Sequence, residues 1–327
     1  MNHPRRRATL TCLAAGLLTA ALPAVSAAAY PDKPIRLVVP FPPGQGADIL
    51  ARLIGQHLAA ALGQPIVVEN KVGAGGIIGT AFAAKAAPDG YTLYMGSSGP
   101  LAIGPHVYKA VGFDTLKDFA PISNIASVTQ VLVTAPASQL ASAKDVVERA
   151  RAQPGMVPFG SAGSGTTSHL TMELFTQMSG ISLSHVPYKG SSTSMIDVMA
   201  GRVPLMFDSL PGVLTNVKSG SLRAIAVASA QRDPLLPNVP TVAESGVPGF
   251  ATSGWIGLLA PARTPPQIVD QLHTAVAKAL KSEAVKKRMS ELAFTPIGNS
   301  PAEVQTFLSK EVALWGGVAA KAGVQKE

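Results

Sequence analysis

Five short turns hold most of the side chains that could do chemistry: Pro42–Ala47, Val72–Gly76, Gly96–Gly99, Ser161–Ser168 and Lys189–Ser194. Each is rich in Gly, Ser or Thr, and each joins a short apolar run to a stretch of helical periodicity. A strand ending in such a turn at a helix start presents unpaired backbone N–H groups and the positive end of the helix dipole. Small hydroxyls add further donors. The chemistry this suits is recognition of an anion, above all a carboxylate, without a buried counter-charge. One such turn alone reads as plain strand-to-helix geometry. Five in order along one chain point to a site.

Reactive arrangements are missing. The chain has no G-x-S-x-G elbow, no H-E-x-x-H, no Walker loop and no strict G-x-G-x-x-G. His57, His106, His169, His185 and His273 are scattered, and none has a second residue at metal-ligand spacing. His57 and His273 fall on or beside apolar helix faces and read as packed side chains. Asp48, Asp89, Asp114, Asp197 and Asp208 form no pair close in sequence. No metal, cofactor or catalytic residue is therefore assigned. The enzyme alternative is an exported hydrolase or isomerase with Asp208 or His169 as its base.

The elements that position these turns alternate β and α. Ile35–Val39, Pro65–Glu69, Tyr91–Met95, Ile122–Ser127, Gln130–Thr134, Val157–Gly160, Ser184–Tyr188, Pro204–Phe207, Arg223–Ser229 and Trp255–Ala260 read as strands. Helical periodicity follows in Ile49–Leu62, Ile77–Ala87, Ser142–Ala152, His169–Met178, Met195–Ala200, Pro211–Lys218, Pro265–Leu280 and Pro301–Ala320. This alternation predicts an α/β fold with mainly parallel sheets. In such sheets the strand-to-helix turns gather where ligands bind. With no low-complexity linker, the domain boundary must be a crossing strand. Ser127–Thr134 and Ser253–Ala260 are the best places.

The first 29 residues read as a secretory signal peptide. Arg5-Arg6-Arg7 is its charged region, Leu10–Leu22 its apolar region, and Ser26-Ala-Ala-Ala29 its cleavage site. Arg6-Arg7 leaves Sec and twin-arginine export both open. The single cysteine, Cys12, departs with it, so neither disulfide nor thiolate chemistry is available to the exported chain. Without Arg5, Arg6 and Arg7 the 27 basic residues become 24 against 19 acidic, a net charge of +5. Only Lys286-Lys-Arg288 forms a basic run, and aromatics are 5% of residues. Nucleic acid is thus not an expected partner. Small anions are.

Several segments together carry a family resemblance. They are Pro34-Ile-Arg-Leu-Val-Val-Pro-Phe-Pro-Pro-Gly44 with Asp48, Val68-Glu-Asn70, Gly73-Ala-Gly-Gly76, Ala87-Pro-Asp-Gly-Tyr-Thr92, Val186-Pro-Tyr-Lys-Gly190 and Gly201 with Met206-Phe-Asp208. In register from Tyr30 to the end, the chain resembles the Bug family, the periplasmic receptors of tripartite tricarboxylate transporters. The resemblance implies a two-lobed type II periplasmic binding protein fold with a ligand cleft between lobes. The expected division is 30–127 plus 255–327 for one lobe and 128–254 for the other. It also implies a small carboxylate ligand: a di- or tricarboxylate, an acidic amino acid or an aromatic acid. The conditional partner is the integral membrane subunits of such a transporter, and a monomer is the default. A sensory receptor signalling to a membrane kinase is the alternative.

Carried onto this sequence, the resemblance places Phe41, Pro43, Gly44, Gln45, Gly46 and Ala47 around one ligand carboxylate, through backbone N–H groups and bridging waters. Asp48 reads as a helix cap. Gln45 and Ala47 depart from the family's common glycine and Thr/Ser, which brings a side-chain amide to the pocket mouth and removes a donor. Ser97 and Ser98 would line the first lobe. Ser161, Gly163, Ser164, Thr166, Thr167 and His169 would hold the distal group or cap a helix. Tyr188 and Gly190 fit a wall; Lys189 reads equally as a solvated charge. Asp208 either faces a ligand hydroxyl or amino group or caps the helix near Pro211.

Overall fold

The computed structural model describes residues 30–323 and Lys326. The expected signal peptide, with Cys12, lies outside the described residues.

The first lobe grows from β1 (Ile35–Val39), whose Ile35, Leu37, Val38 and Val39 are fully buried. Helix α1 (Gly46–Leu62) returns over it with Leu50, Ile54 and Leu58 facing the sheet at intervals of one turn. Gly63, at φ 71°, ends the helix in the left-handed conformation that glycine adopts at least cost. Each of those three apolar side chains contributes about 2 kcal/mol by leaving water. Strand β2 (Ile66–Asn70), a one-turn 3₁₀ segment Ala74–Gly76 and helix α2 (Ile77–Ala84) follow. Then come β3 (Thr92–Ser97), a π-turn Gly99–Ile103, α3 (Gly104–Val107) and β4 (Phe119–Val128).

The second sheet begins at once with β5 (Gln130–Thr134), then α4 (Ala143–Ala152) and β6 (Pro158–Ser161). It continues through α5 (Thr167–Ser179), β7 (Ser184–Pro187), α6 (Ser191–Met199), β8 (Leu205–Ser209), α7 (Leu210–Lys218) and β9 (Arg223–Val227). The chain then returns to the first sheet with β10 (Gly254–Pro261), α8 (Pro266–Lys281), α9 (Glu283–Glu291), β11 (Phe294–Pro296) and α10 (Pro301–Lys321). The strand orders are β11-β4-β10-β3-β1-β2 and β7-β6-β8-β5-β9. Helices cover both faces of each sheet. Helix α10 also packs against the second sheet's α5, where Gln177 donates to the Val318 carbonyl at 3.0 Å.

Two expectations need correction. The sheets are mixed rather than mainly parallel. β10 runs antiparallel to β3 and β4, and β5 antiparallel to β8 and β9. These are the strands next to the crossings, so they run against the βα repeats they join. Pro65–Glu69 was expected as a buried strand, yet β2 is a half-buried edge with Val67 54% exposed. Its apolar run covers only one neighbour. Helix α9 carries too short an apolar face to show as periodicity in the sequence: its only buried residues are Val285 and Met289.

Candidate ligand site between the lobes

Four helix starts converge between the sheets. Gly46 and Ala47 open α1, Thr166 to Ser168 open α5, Ser191 opens α6, and Ser209 precedes α7. All of these residues line one cavity of about 80 Å³, room for several waters or one small organic molecule. The four N-cap residues, Gln45, Thr166, Gly190 and Ser209, make no side-chain capping bond. By contrast, α4 and α10 carry full capping boxes at Ser142 with Asp145 and Ser300 with Glu303, and none of those residues lines the cavity. The cavity therefore collects helix N–H groups that no side chain occupies. No lysine or arginine lines it.

Hydrogen bonds cross the cleft among the described residues. The Ser98 and Thr167 hydroxyls meet at 3.0 Å, and Tyr108 donates to the Ser164 carbonyl at 2.7 Å. Behind the first loop, Asp48 is buried and accepts from the Gly44 N–H, from Arg52 and from Asn70, each at 2.9 to 3.0 Å. Burial opposes its charge, but Arg52, the Gly44 N–H and Asn70 together hold its carboxyl below the usual range. Asp48 thus ties the loop to its helix. Asp48→Asn should cost about 1.5 kcal/mol in urea unfolding. Ligand affinity should also fall, because Gly44 loses its tether.

Asp208 ends β8 and lines the cavity at 4% exposure. Its Oδ1 accepts the Ser209 N–H at 2.7 Å, and the Ser191 and Ser209 hydroxyls approach the carboxyl without a well-formed hydrogen bond to Oδ2. Burial pushes its carboxyl up to about 6, against the pull of the Ser191 and Ser209 hydroxyls and the Ser209 N–H.

Of the residues singled out from the sequence, Phe41, Gln45, Gly46, Ala47, Ser97, Ser98, Thr166, Thr167 and Asp208 line the cavity. Others stand back from it. Pro43 and Gly44 are exposed on the outer side of the first loop. Gly163 and Ser164 are buried beneath the second, and Gly190 backs onto Gln45 and Pro42. Tyr188 donates to Asp197 at 2.6 Å.

Ser161 and His169 join His185 in a packed layer under the loop. The two imidazoles stack at 3.8 Å, 8° from parallel, against Phe159. His169 Nδ1 accepts the Gly165 N–H at 3.3 Å. Ser161 Oγ accepts from the Gly163 N–H at 3.1 Å and sits 2.7 Å from His185 Nε2. That arrangement directs the Ser161 proton to a neutral imidazole. Burial, and then the His169 neighbour, depress His185 to about 3.

Val128, Gln130, Ala162, Ser168, Ser191, Ser209, Gly254, Trp255 and Ile256 also line the cavity but were not singled out. Ser168 and Ser191 sat inside the named turns, and the hydroxyl signal could have found them. Gln130, Gly254 and Trp255 sit on the crossing strands, where no local pattern marks them.

Comparisons with known proteins fit this geometry. A family model described as "Tripartite tricarboxylate transporter family receptor" matches residues 50–324. Protein BugT of Bordetella pertussis is 39% identical over 302 residues, 92% of this chain and 93% of that protein. The structure of R. palustris Rpa4515 with adipate superposes with a TM-score of 0.88 at 38% identity, covering 91% of this chain and all 100% of that one. MatC from Rhodopseudomonas palustris with bound malate gives a TM-score of 0.83 at 30% identity, covering 88% and 99%. The two-lobed architecture is shared with the periplasmic binding protein BugD, and this chain, with BugT and BugD among its relatives, belongs to the tripartite tricarboxylate transporter receptor family.

Proposed function

We propose that this chain is an exported receptor that captures one small carboxylate between its lobes and delivers it, without turnover, to the integral subunits of a tripartite tricarboxylate-type transporter. The observation that carries the reading is the convergence of four helix starts, free of side-chain caps, on one cavity without a cation. Such a cradle stabilises a carboxylate by dipoles and N–H donors alone. The adipate and malate bound to the two R. palustris relatives support the ligand class. Closure follows if the ligand bridges donors from both sheets, because only the closed state makes all contacts together.

Thermal unfolding of the chain from Tyr30 onward, against carboxylates, neutral sugars and phosphates, tests this. A carboxylate at a hundredfold its Kd should add about 2.7 kcal/mol of stability. That is a rise of roughly 5–10 °C. Shifts with sugars or phosphates, and none with carboxylates, would overturn the reading.

A further inference from the structure

The chain has two tryptophans, and both give their indole N–H to one carboxylate. Trp255 Nε1 donates to Glu311 Oε2 at 2.7 Å, and Trp315 Nε1 donates to the same oxygen at 3.1 Å. Glu311 and Trp315 are one turn apart on α10, and Trp255 is near the start of β10. No lysine, arginine or histidine pairs with Glu311 among the described residues. Burial pushes its carboxyl up, against the pull of the two indoles. A carboxyl held off water by neutral donors alone costs stability that an apolar side chain would not. What it supplies instead is direction, with two rings fixed to one atom.

The place so fixed is the chain's return from the second sheet. Thr252 is still held there, its N–H bonded at 2.9 Å to the carbonyl of Ala228, just past β9. Three residues on, Trp255 is buried in the first lobe, its ring edge-on to Phe307 of α10 at 5.4 Å. Its main-chain N–H lies 3.4 Å from Ser98 Oγ, the hydroxyl that meets Thr167 across the cleft. Leu170 of α5 is buried in the same apolar cluster as Trp255 and Trp315. Glu311 therefore stands where α10, the returning strand and the second lobe's α5 come together.

We propose that Glu311 is a positioning residue for lobe closure. Holding both indoles, it pins the first-lobe end of the returning strand. The lobes then pivot between Thr252 and Trp255, and Ser98 is presented to Thr167 in one register. Its use rests on the receptor reading above, in which capture closes the lobes, but the pin itself holds with no ligand bound.

The test is nuclear magnetic resonance and amide hydrogen exchange on the chain from Tyr30 onward, without ligand. Each indole gives one Nε1–H signal, so the spectrum reads the pair directly. Glu311→Gln keeps a carbonyl oxygen that can accept both bonds, and Glu311→Met keeps the length without an acceptor. Both signals should move toward that of free indole in Glu311→Met and hold their places in Glu311→Gln. Main-chain exchange over residues 252–256 should quicken at least about tenfold in Glu311→Met relative to exchange in α4, and Glu311→Gln should restore it. Helix α4 is the control because it packs in a separate apolar cluster of the second lobe. Trp255→Phe keeps an aromatic ring and loses the tether, so it should reproduce the quickening, and it carries the same test where Glu311→Met does not fold. Trp315→Phe removes a bond of the same kind within α10 and should leave the returning strand protected. Equal quickening in α4 and in residues 252–256 would overturn the proposal, since that is lost stability rather than lost position. So would equal exchange in Trp255→Phe and Trp315→Phe, or a returning strand in Glu311→Met as protected as in the unaltered chain. None of these results touches the carboxylate reading, which stands or falls in the unfolding screen above.

Discussion

Gly75→Ala should weaken ligand binding by about 2 kcal/mol, roughly thirtyfold, while lowering the stability of the unliganded chain by only about 1 kcal/mol. Gly75 sits in the first lobe's 3₁₀ turn at φ 59°, and a β-carbon there would stand 2.6 Å from the Ser164 carbonyl oxygen and 3.0 Å from the Tyr108 hydroxyl. Ser164 belongs to the loop between β6 and α5 in the second sheet. Its oxygen is main chain and cannot rotate away. The added methyl is therefore a wedge between the lobes, and it acts only when they close.

The left-handed backbone also strains alanine, and that part must be separated. Gly63, at φ 71°, ends α1 with nothing within 4 Å of its would-be β-carbon. Gly63→Ala carries the same backbone strain and no wedge. It should lose similar stability and keep full affinity. Calorimetry on both variants, with small-angle scattering at saturating ligand, reads the difference: Gly75→Ala should stay more extended. If both bind alike, the contact of Gly75 and Tyr108 with Ser164 is not part of the bound state.

The same contacts show which features could be read from sequence. β1 and α1 were legible because Ile35, Leu37, Leu50, Ile54 and Leu58 keep strict strand and helix periods. The helices that open on the cavity begin earlier than hydrophobic periodicity indicates. α5 begins at Thr167 rather than His169, and α6 at Ser191 rather than Met195. Hydrophobic periodicity cannot register a first turn made of Ser and Thr, because that turn faces a cavity rather than a core. What looked like a polar loop is the working end of a helix. The crossing strands were the other blind spot. Gln130 and Trp255 reach the cavity through the antiparallel pairing of β5 and β10, which depends on long-range register. No local signal encodes that. The histidines mislead in the opposite sense: His169 stands beside the hydroxyl-rich turn in sequence, yet the fold turns it inward onto His185.

His185 and Asp208 should give the unliganded chain two opposing acid responses that nearly cancel between pH 6 and pH 4. His185 is depressed from 6.5 to about 3 by burial and by His169. In that window the unfolded chain binds the extra proton, so stability falls as pH falls. Asp208 is raised from 3.8 to about 6 by burial. There the folded chain binds the extra proton, so stability rises as pH falls. Each slope approaches 1.4 kcal/mol per pH unit. Asp208→Asn removes the second response, and going from pH 6 to pH 4 should then cost that variant about 2–3 kcal/mol more than it costs the unaltered chain. His185→Gln keeps an acceptor for Ser161 but cannot titrate, and its profile should move by a similar amount the other way. Ion-paired carboxylates such as Glu69 and Glu244 titrate equally in all three proteins, so they drop out of the differences. Urea unfolding at the two pH values measures both. Parallel profiles for the three proteins would show that neither group is buried in the form described here. Opposite departures would place an uncharged imidazole beneath the loop after β6 and a protonatable carboxyl at the end of β8, both in the second sheet's wall of the cleft.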